Sequence, residues 1–305
     1  MGKGIRSQLD PATNEYVEAF KLGAKLNVEQ TVFATGGGAT NAAVTFARQG
    51  LESSFIGRVG HDAAGESVLR ELDNEHVNTS ATIYDNTLGT QYSTVLLTET
   101  GERTILVYRG AAQAHTARDY HDASFDGFDW LYVSSFAGAF DALSMIFERA
   151  KSAGVKIAFN PGQGELDNPD LLRGLLEDVD ILLLNKDEAQ LVVEGSSSEE
   201  LVRHLTHYVP VAVVSDGPNG VFASDGISVI EAGMYEDVKV FDRTGAGDAF
   251  GSGFVSYYSQ GKTLHESVVF ASANSTSVVT KIGAKEGILH AGGALHDMPI
   301  KERKF

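Results

Sequence analysis

Between residues 130 and 232 the chain returns repeatedly to short, β-branched, apolar runs, and most of the stretches between them carry helical patterning. The runs are WLYVSSF (130–136), VKIAFN (155–160), DILLLN (180–185) and VAVVSD (211–216), then VFAS (221–224) and ISVIEA (227–232). SSFIGRV (53–59) and VKVFD (238–242) read as further strands. Helical stretches are TNAAVTFARQG (40–50), AGESVLRELDNEH (64–76), ALSMIFERAKSAG (142–154), SEELVRHLTHYV (198–209) and TLHESVVFASANSTSVVTKIG (263–283). Strands that are apolar along their whole length must be covered on both faces, and helical crossovers are what parallel strands require. The pattern therefore predicts an α/β fold with a mostly parallel central sheet between helical layers. Ligands in such folds bind at the C-terminal ends of the strands, so the polar residues that close each run are the first place to look for chemistry.

Two regions break the alternation. Residues 16–35 and 91–110 read as strand pairs with little helix between them, the second turning at TGE (100–102). They predict a small β lid outside the main sheet, inserted into a single domain spanning 1–305. No run of 18 apolar residues is present to span a membrane, and the N-terminal stretch lacks the apolar core of a secretory signal. The absence of cysteine rules out disulfides and thiolate metal sites, and it fits a cytoplasmic protein. A formal charge of −17 argues against a broad basic face for nucleic acid. An anionic ligand would have to be met by backbone N–H groups and a metal ion.

Two glycine clusters stand out. In TGGGATNAAVTFARQG (35–50) three glycines precede a helix that stops at Gly50. They read either as a tight turn capped by Thr40 or Asn41, or as a close backbone approach with Asn41 bonding substrate hydroxyls. In DRTGAGDAFGSGF (242–254) a strand leads into glycines and a helix beginning near Ala246, with Asp248 in its first turn. Convergent N–H groups and a helix N-terminus make an anion cradle. The plain alternative is that Asp248 compensates the helix dipole. Phe250 occupies the third glycine position of a dinucleotide fingerprint, and Ser256 the first glycine of a P-loop ending in GKT (261–263). Neither motif is present, and Thr263 with Glu266 reads as a capping box.

Asn185 and Glu188 close the run LLLN and open a helix, where they could serve Mg²⁺ through water or simply cap. Ser215, Gly217 and Gly220 close another run, as phosphate-facing N–H groups or as a turn. His204 and His207 read as a solvated helix face and Trp130 as core. The histidines lack zinc-site spacing, and no G-x-S-x-G elbow marks a hydrolase.

Taken in order, GGGATNAAVTFARQG (36–50), FIGRVGHDAAGE (55–66), NKDEAQLV (185–192), VSDGPNGV (214–221) and DRTGAGDAFGSGF (242–254) resemble the ribokinase family of PfkB-type carbohydrate and nucleoside kinases. The resemblance runs from about residue 16 to 290. It implies a three-layer α/β/α sandwich with a β lid that transfers the γ-phosphoryl group of ATP, with Mg²⁺, to an alcohol. By position it makes Asp248 the base and the backbone of Gly245, Ala246 and Gly247 the anion hole. Asn185 and Glu188 would organise Mg²⁺ and phosphate, and Ser215, Gly217 and Gly220 the nucleotide phosphates. Asn274 would lie by the nucleotide, and Gly37, Gly38 and Asn41 would face the acceptor. The same resemblance leaves room for a monovalent cation such as K⁺ near Asp242 and Gly283, and for a homodimer through the lid.

Two departures bear on substrate. The family opens with a buried strand ending in an acceptor-gripping aspartate, and this chain begins with a polar stretch instead, by nature or by truncation. Many sugar kinases of the family carry lysine where Gly38 stands in GGGATN, and its absence favours a neutral sugar or a nucleoside over a phosphorylated sugar. Tyr108 and Arg109 of the lid could meet either. The alternative of a different class is a catalytically impaired binding protein.

Overall fold

The computed structural model describes residues 5–28, 30–97, 103–233, 238–293, 295 and 298–305. The chain opens with an antiparallel hairpin of β1 (Ile5–Asp10) and β2 (Glu15–Phe20). Helix α1 (Gly38–Arg48) follows, then β3 (Arg58–Gly60), α2 (Ala63–Asn74) and β4 (Ile83–Asp85). β5 (Tyr92–Leu97) and β6 (Arg103–Tyr108) form a second hairpin, whose expected TGE turn lies outside the described residues.

Crossovers then build the central layer. β7 (Trp130–Val133), α3 (Phe140–Ser152), β8 (Lys156–Phe159), α4 (Gln163–Leu166), α5 (Pro169–Leu175) and β9 (Ile181–Asn185) come first. α6 (Lys186–Val192), α7 (Ser198–Leu205), β10 (Val211–Ser215), β11 (Val221–Ser224) and β12 (Ser228–Ala232) continue it. α8 (Ala246–Ser259), α9 (Leu264–Val279) and β13 (Ile300–Lys304) complete the chain.

Seven strands form one sheet in the order β13-β12-β11-β10-β9-β8-β7. β7 to β10 pair in parallel and β10 to β13 antiparallel, so the parallel arrangement expected for most of the sheet holds for the half fed by helical crossovers. The period of two divides the core between the faces. Leu182 and Leu184 pack with Leu143, Phe147, Leu172 and Leu201 on one side. Ile181 and Leu183 pack with Phe254, Val255, Val268 and Ala271 of α8 and α9 on the other. Each such side chain, fully withdrawn from water, contributes roughly 1.5–3 kcal/mol.

Several expected strands differ. Of SSFIGRV only Arg58 and Val59 lie in a strand, Arg58–Gly60, paired with β4 outside the central sheet, with Ser54 bridging Asn78. The pairing expected within 16–35 is made instead by Ile5–Asp10 and Glu15–Phe20, and no strand is described between Phe20 and Gly38. VKVFD forms no strand: Val240 and Phe241 face solvent, and Lys239 lies 4.7 Å over the Phe241 ring. Among the described residues no strand pairs with it. β13, IKERK, carries a single apolar residue and reads as polar, yet it closes the antiparallel edge. Charged residues on an edge strand oppose further strand addition. Trp130 is only partly buried, with Lys156 5.4 Å over its ring. His204 and His207 are exposed, as expected. No helix among the described residues is long and apolar enough to cross a membrane.

Candidate active site

The parallel register sets the polar ends of the strands side by side. Ser215 at the end of β10 pairs with Asn185 at the end of β9. Asn160, one residue past β8, donates its amide to Leu183 O at 2.9 Å. Across these ends stands the start of α8, and between them lies a cavity of about 210 Å³. Asn185, Glu188, Ser215, Gly247 and Asp248 all line it, with Asn160, Leu183 and Gly251 among its other walls. Five residues singled out in the sequence therefore meet around one space.

Gly245 caps α8 in the left-handed region (φ 78°), and a Cβ there would come 2.5 Å from Ala284 Cβ. Only glycine admits both that backbone and that approach. Ala246 N–H closes a turn onto Arg243 O at 3.3 Å, whereas a Cβ on Gly247 would meet open space. The first-turn N–H groups of a helix lack partners inside it and carry its positive end. Here Gly247 and Asp248 line the cavity, whereas Gly245 and Ala246 do not.

Asp248 Oδ2 accepts a hydrogen bond from Asn41 Nδ2 at 2.7 Å. Oδ1 accepts none among the described residues and lies 3.3 Å from where a Cβ on Gly38 would sit. Burial pushes the Asp248 carboxyl above its ordinary value, opposed by the Asn41 hydrogen bond and the charge of Lys285. Asn41 is 1 % exposed, and its Oδ1 is buried with no hydrogen-bond partner. A buried carbonyl left unpaired costs about 1–3 kcal/mol. Gly37 caps α1 with φ 105°, bringing the glycine turn against Asp248.

Asn185 and Glu188 form a reciprocal capping box, with Glu188 Oε2 accepting from Asn185 N and Asn185 Oδ1 from Glu188 N, each at 2.9 Å. The plain capping alternative is thus realised, and it coexists with both residues lining the cavity. Burial raises the Glu188 carboxyl. Gly217 and Gly220 lie in the turn after β10; a Cβ on Gly220 would collide with Ala232 O at 2.1 Å, and neither glycine lines the cavity.

Two expected residues sit apart. Asn274 is wholly buried, donating to Ala249 O at 2.8 Å and accepting from Leu289 N at 2.9 Å, so it clamps α8 to the chain after α9 and presents no surface to a ligand. Asp242 accepts from Thr244 N, Thr244 Oγ1 and Gly283 N, so both its oxygens pin the loop before α8. Among the described residues no group of three or more His, Asp or Glu side chains could hold a metal by itself. The donor set does suit Mg²⁺ arriving with phosphates, since that ion keeps several waters and takes only one or two protein carboxylates.

Sequence reasoning missed Asn160, although it closes an apolar run as Asn185 does. It also missed Lys285, 4 % exposed, whose Nζ donates to Thr35 Oγ1 at 2.8 Å while Thr35 donates to Glu71. Burial lowers this ammonium to about 8.

The profile described as "pfkB family carbohydrate kinase" matches residues 12–291. Ribokinase from Staphylococcus aureus is 26 % identical over 279 residues, covering 87 % of this chain and 89 % of the relative. Fructokinase from Vibrio cholerae, solved in fructose-, ADP- and calcium-bound form, superposes with a TM-score of 0.73 at 25 % identity, covering 86 % of this chain and 90 % of that one. Adenosine kinase from Sinorhizobium meliloti gives 0.74 at 23 % identity, covering 89 % and 81 %, a likeness of fold.

Proposed function

This chain belongs to the pfkB family of carbohydrate kinases, and from that premise we propose that it transfers the γ-phosphoryl group of ATP to a hydroxyl of a small neutral sugar, with Asp248 as the base. The observation that carries the reading is the asymmetry of Asp248, with one oxygen held by Asn41 and the other open toward Gly38. A substrate hydroxyl donates to Oδ1. Its oxygen attacks the γ-phosphorus, the new P–O bond forms as the bond to the ADP oxygen breaks, and the proton passes to Asp248. Charge on the transferring group is met by the N–H groups at the start of α8, at Gly245, Ala246 and Gly247. Asn41 Oδ1 accepts from a further acceptor hydroxyl.

Ser215 and the Gly217–Gly220 turn meet the nucleotide phosphates. Glu188 and Asn185 would hold Mg²⁺, which would supply neutralisation of the phosphate charge. The fructokinase bound to fructose, ADP and calcium supports a sugar, a nucleotide and a divalent ion in this fold. Gly38 in place of a lysine supports a neutral acceptor, and a nucleoside is the alternative within the same chemistry. We further propose a single domain, a cytoplasmic location and a homodimer formed through the exposed lid strands.

ADP release from ATP–Mg²⁺ across D-ribose, D-fructose, phosphorylated fructose and adenosine tests this. A neutral sugar should stimulate release at least tenfold over the acceptor-free rate, a factor worth 1.4 kcal/mol. Stimulation by none of them would favour the impaired binding protein.

A further inference from the structure

Lysine is almost never withdrawn from water without a partner, yet Lys285 is buried like a core residue and the proposed transfer makes no use of it. Two routes tie it to the base. On one side its Nζ donates to Thr35 Oγ1 at 2.8 Å, and Thr35 donates in turn to Glu71 of α2. Thr35 stands just before the glycine turn, which Thr40 Oγ1 closes onto Gly36 O at 2.9 Å and Gly37 O at 3.1 Å. The next residue, Asn41, donates to Asp248. On the other side Ala284 occupies the space that a side chain on Gly245 would need, so the residue before Lys285 seats the cap of α8. Between the two routes, a Cβ on Gly283 would come 3.2 Å from Ala34 Cβ. Residues 283–285 are thus wedged between the segments that hold Asp248 from both sides.

The backbone is fixed as well, because Arg48 Nη1 of α1 donates to Lys285 O and Ile288 O, each at 2.9 Å. Arg48 also pairs with Glu75, the C-cap of α2, at 2.6 Å. The Lys285 ammonium is left facing two carboxylates, Glu71 of α2 and Asp248 of α8. Asp248 is faced in addition by Tyr132 of β7 and, across the cavity, by Glu188. Neither of these is a cation, so among the described residues Lys285 is the positive charge that acts on the base. Burial lowers Lys285 and raises Asp248, and the charge of each opposes that change in the other.

We propose that Lys285 is a positioning residue of the active site: through Thr35 it holds the glycine turn at the start of α1 against α8, and its ammonium gives the Asp248 carboxylate a fixed positive neighbour. The inference rests on the kinase reading above, in which Asp248 must be ionised to take the proton of the acceptor. Without Lys285, burial of the base is opposed by the Asn41 hydrogen bond alone. The role needs no contact between Lys285 and either substrate.

The test uses the full chain with whichever of D-ribose, D-fructose and adenosine best stimulates ADP release. Lys285→Gln removes the charge and keeps an N–H donor, whereas Thr35→Val keeps the charge and removes the link. In Lys285→Gln the acid limb of the kcat profile should move to higher pH by about one pH unit, because loss of an opposite charge favours the protonated carboxyl. Above that limb kcat should return to within about threefold of the wild type, with the ATP KM unchanged. In Thr35→Val the acid limb should stay in place while the acceptor KM rises about fivefold, as for one hydrogen bond lost. An acid limb unmoved in Lys285→Gln, or a kcat lowered equally at every pH, overturns the role of the charge while the kinase reading stands. Should that variant not fold, an acceptor KM in Thr35→Val equal to that of the wild type overturns the proposal by itself. Failure of all three acceptors to stimulate ADP release in the wild type would overturn the kinase reading, and the inference with it.

Discussion

At the scale of single residues, Asp248 occupies a position where an acidic side chain ordinarily does no more than meet the helix dipole, worth about 0.3–1 kcal/mol. Its surroundings are different: burial is the largest influence and pushes its carboxyl upward, and the Asn41 hydrogen bond and the Lys285 charge pull it back. A base must be ionised, so turnover should fall as pH drops through a value above the ordinary 3.8 of an aspartate. Asn41 bonds to the charged form, so its removal favours the protonated one and moves the acid limb to higher pH. In Asn41→Ala the pH profile of kcat should show that upward displacement; an acid limb that stays in place would mean that Asn41 does not tune the base.

At the scale of elements, the site is built from strand ends and the turns after them, and Glu165 joins two of those turns. Glu165→Ala would leave three N–H groups and one hydroxyl without their acceptor. Buried hydrogen bonds to a charged group are worth about 1.5–3 kcal/mol each, so a loss of about 3 kcal/mol is expected after relaxation. A urea midpoint close to that of the wild type would contradict this. The elements around the site were largely legible because LLLN, AVVS and IAFN are apolar runs ended by a polar residue, and tertiary context does not overrule so regular a pattern. Asn185, Glu188 and Ser215 could be placed at one end of the sheet on that ground, and Asp248 by the glycines that lead into a helix start. VKVFD misled because its alternation implies a partner edge that the fold does not supply, and IKERK was silent because an edge strand needs little apolar surface. Lys285 had no local signature. Its burial and neighbours come from the packing of α1 and α2 against a segment far away in the chain.

At the scale of the molecule, 41 acidic against 24 basic residues leave a strongly negative surface, and like charge of this size opposes self-association. The two hairpins run against that tendency, with Tyr16 79 %, Leu106 58 % and Tyr108 52 % exposed. Apolar side chains on both strands of an unsupported hairpin are what a second copy would cover. Leu106→Asp should therefore shift the protein from dimer to monomer in light scattering at micromolar concentration. A wild type that is monomeric there would refute the proposed association.

The proposed transfer depends on Asp248 removing a proton from the acceptor. Asp248→Asn keeps the size of the side chain and its place beside Asn41 but cannot take up that proton. Single-turnover ADP formation with the best acceptor should fall by about 10²–10⁴-fold, the usual contribution of a positioned base, while ATP affinity measured on the same variant stays within about twofold. Turnover equal to the wild type would show that Asp248 only completes the start of a helix.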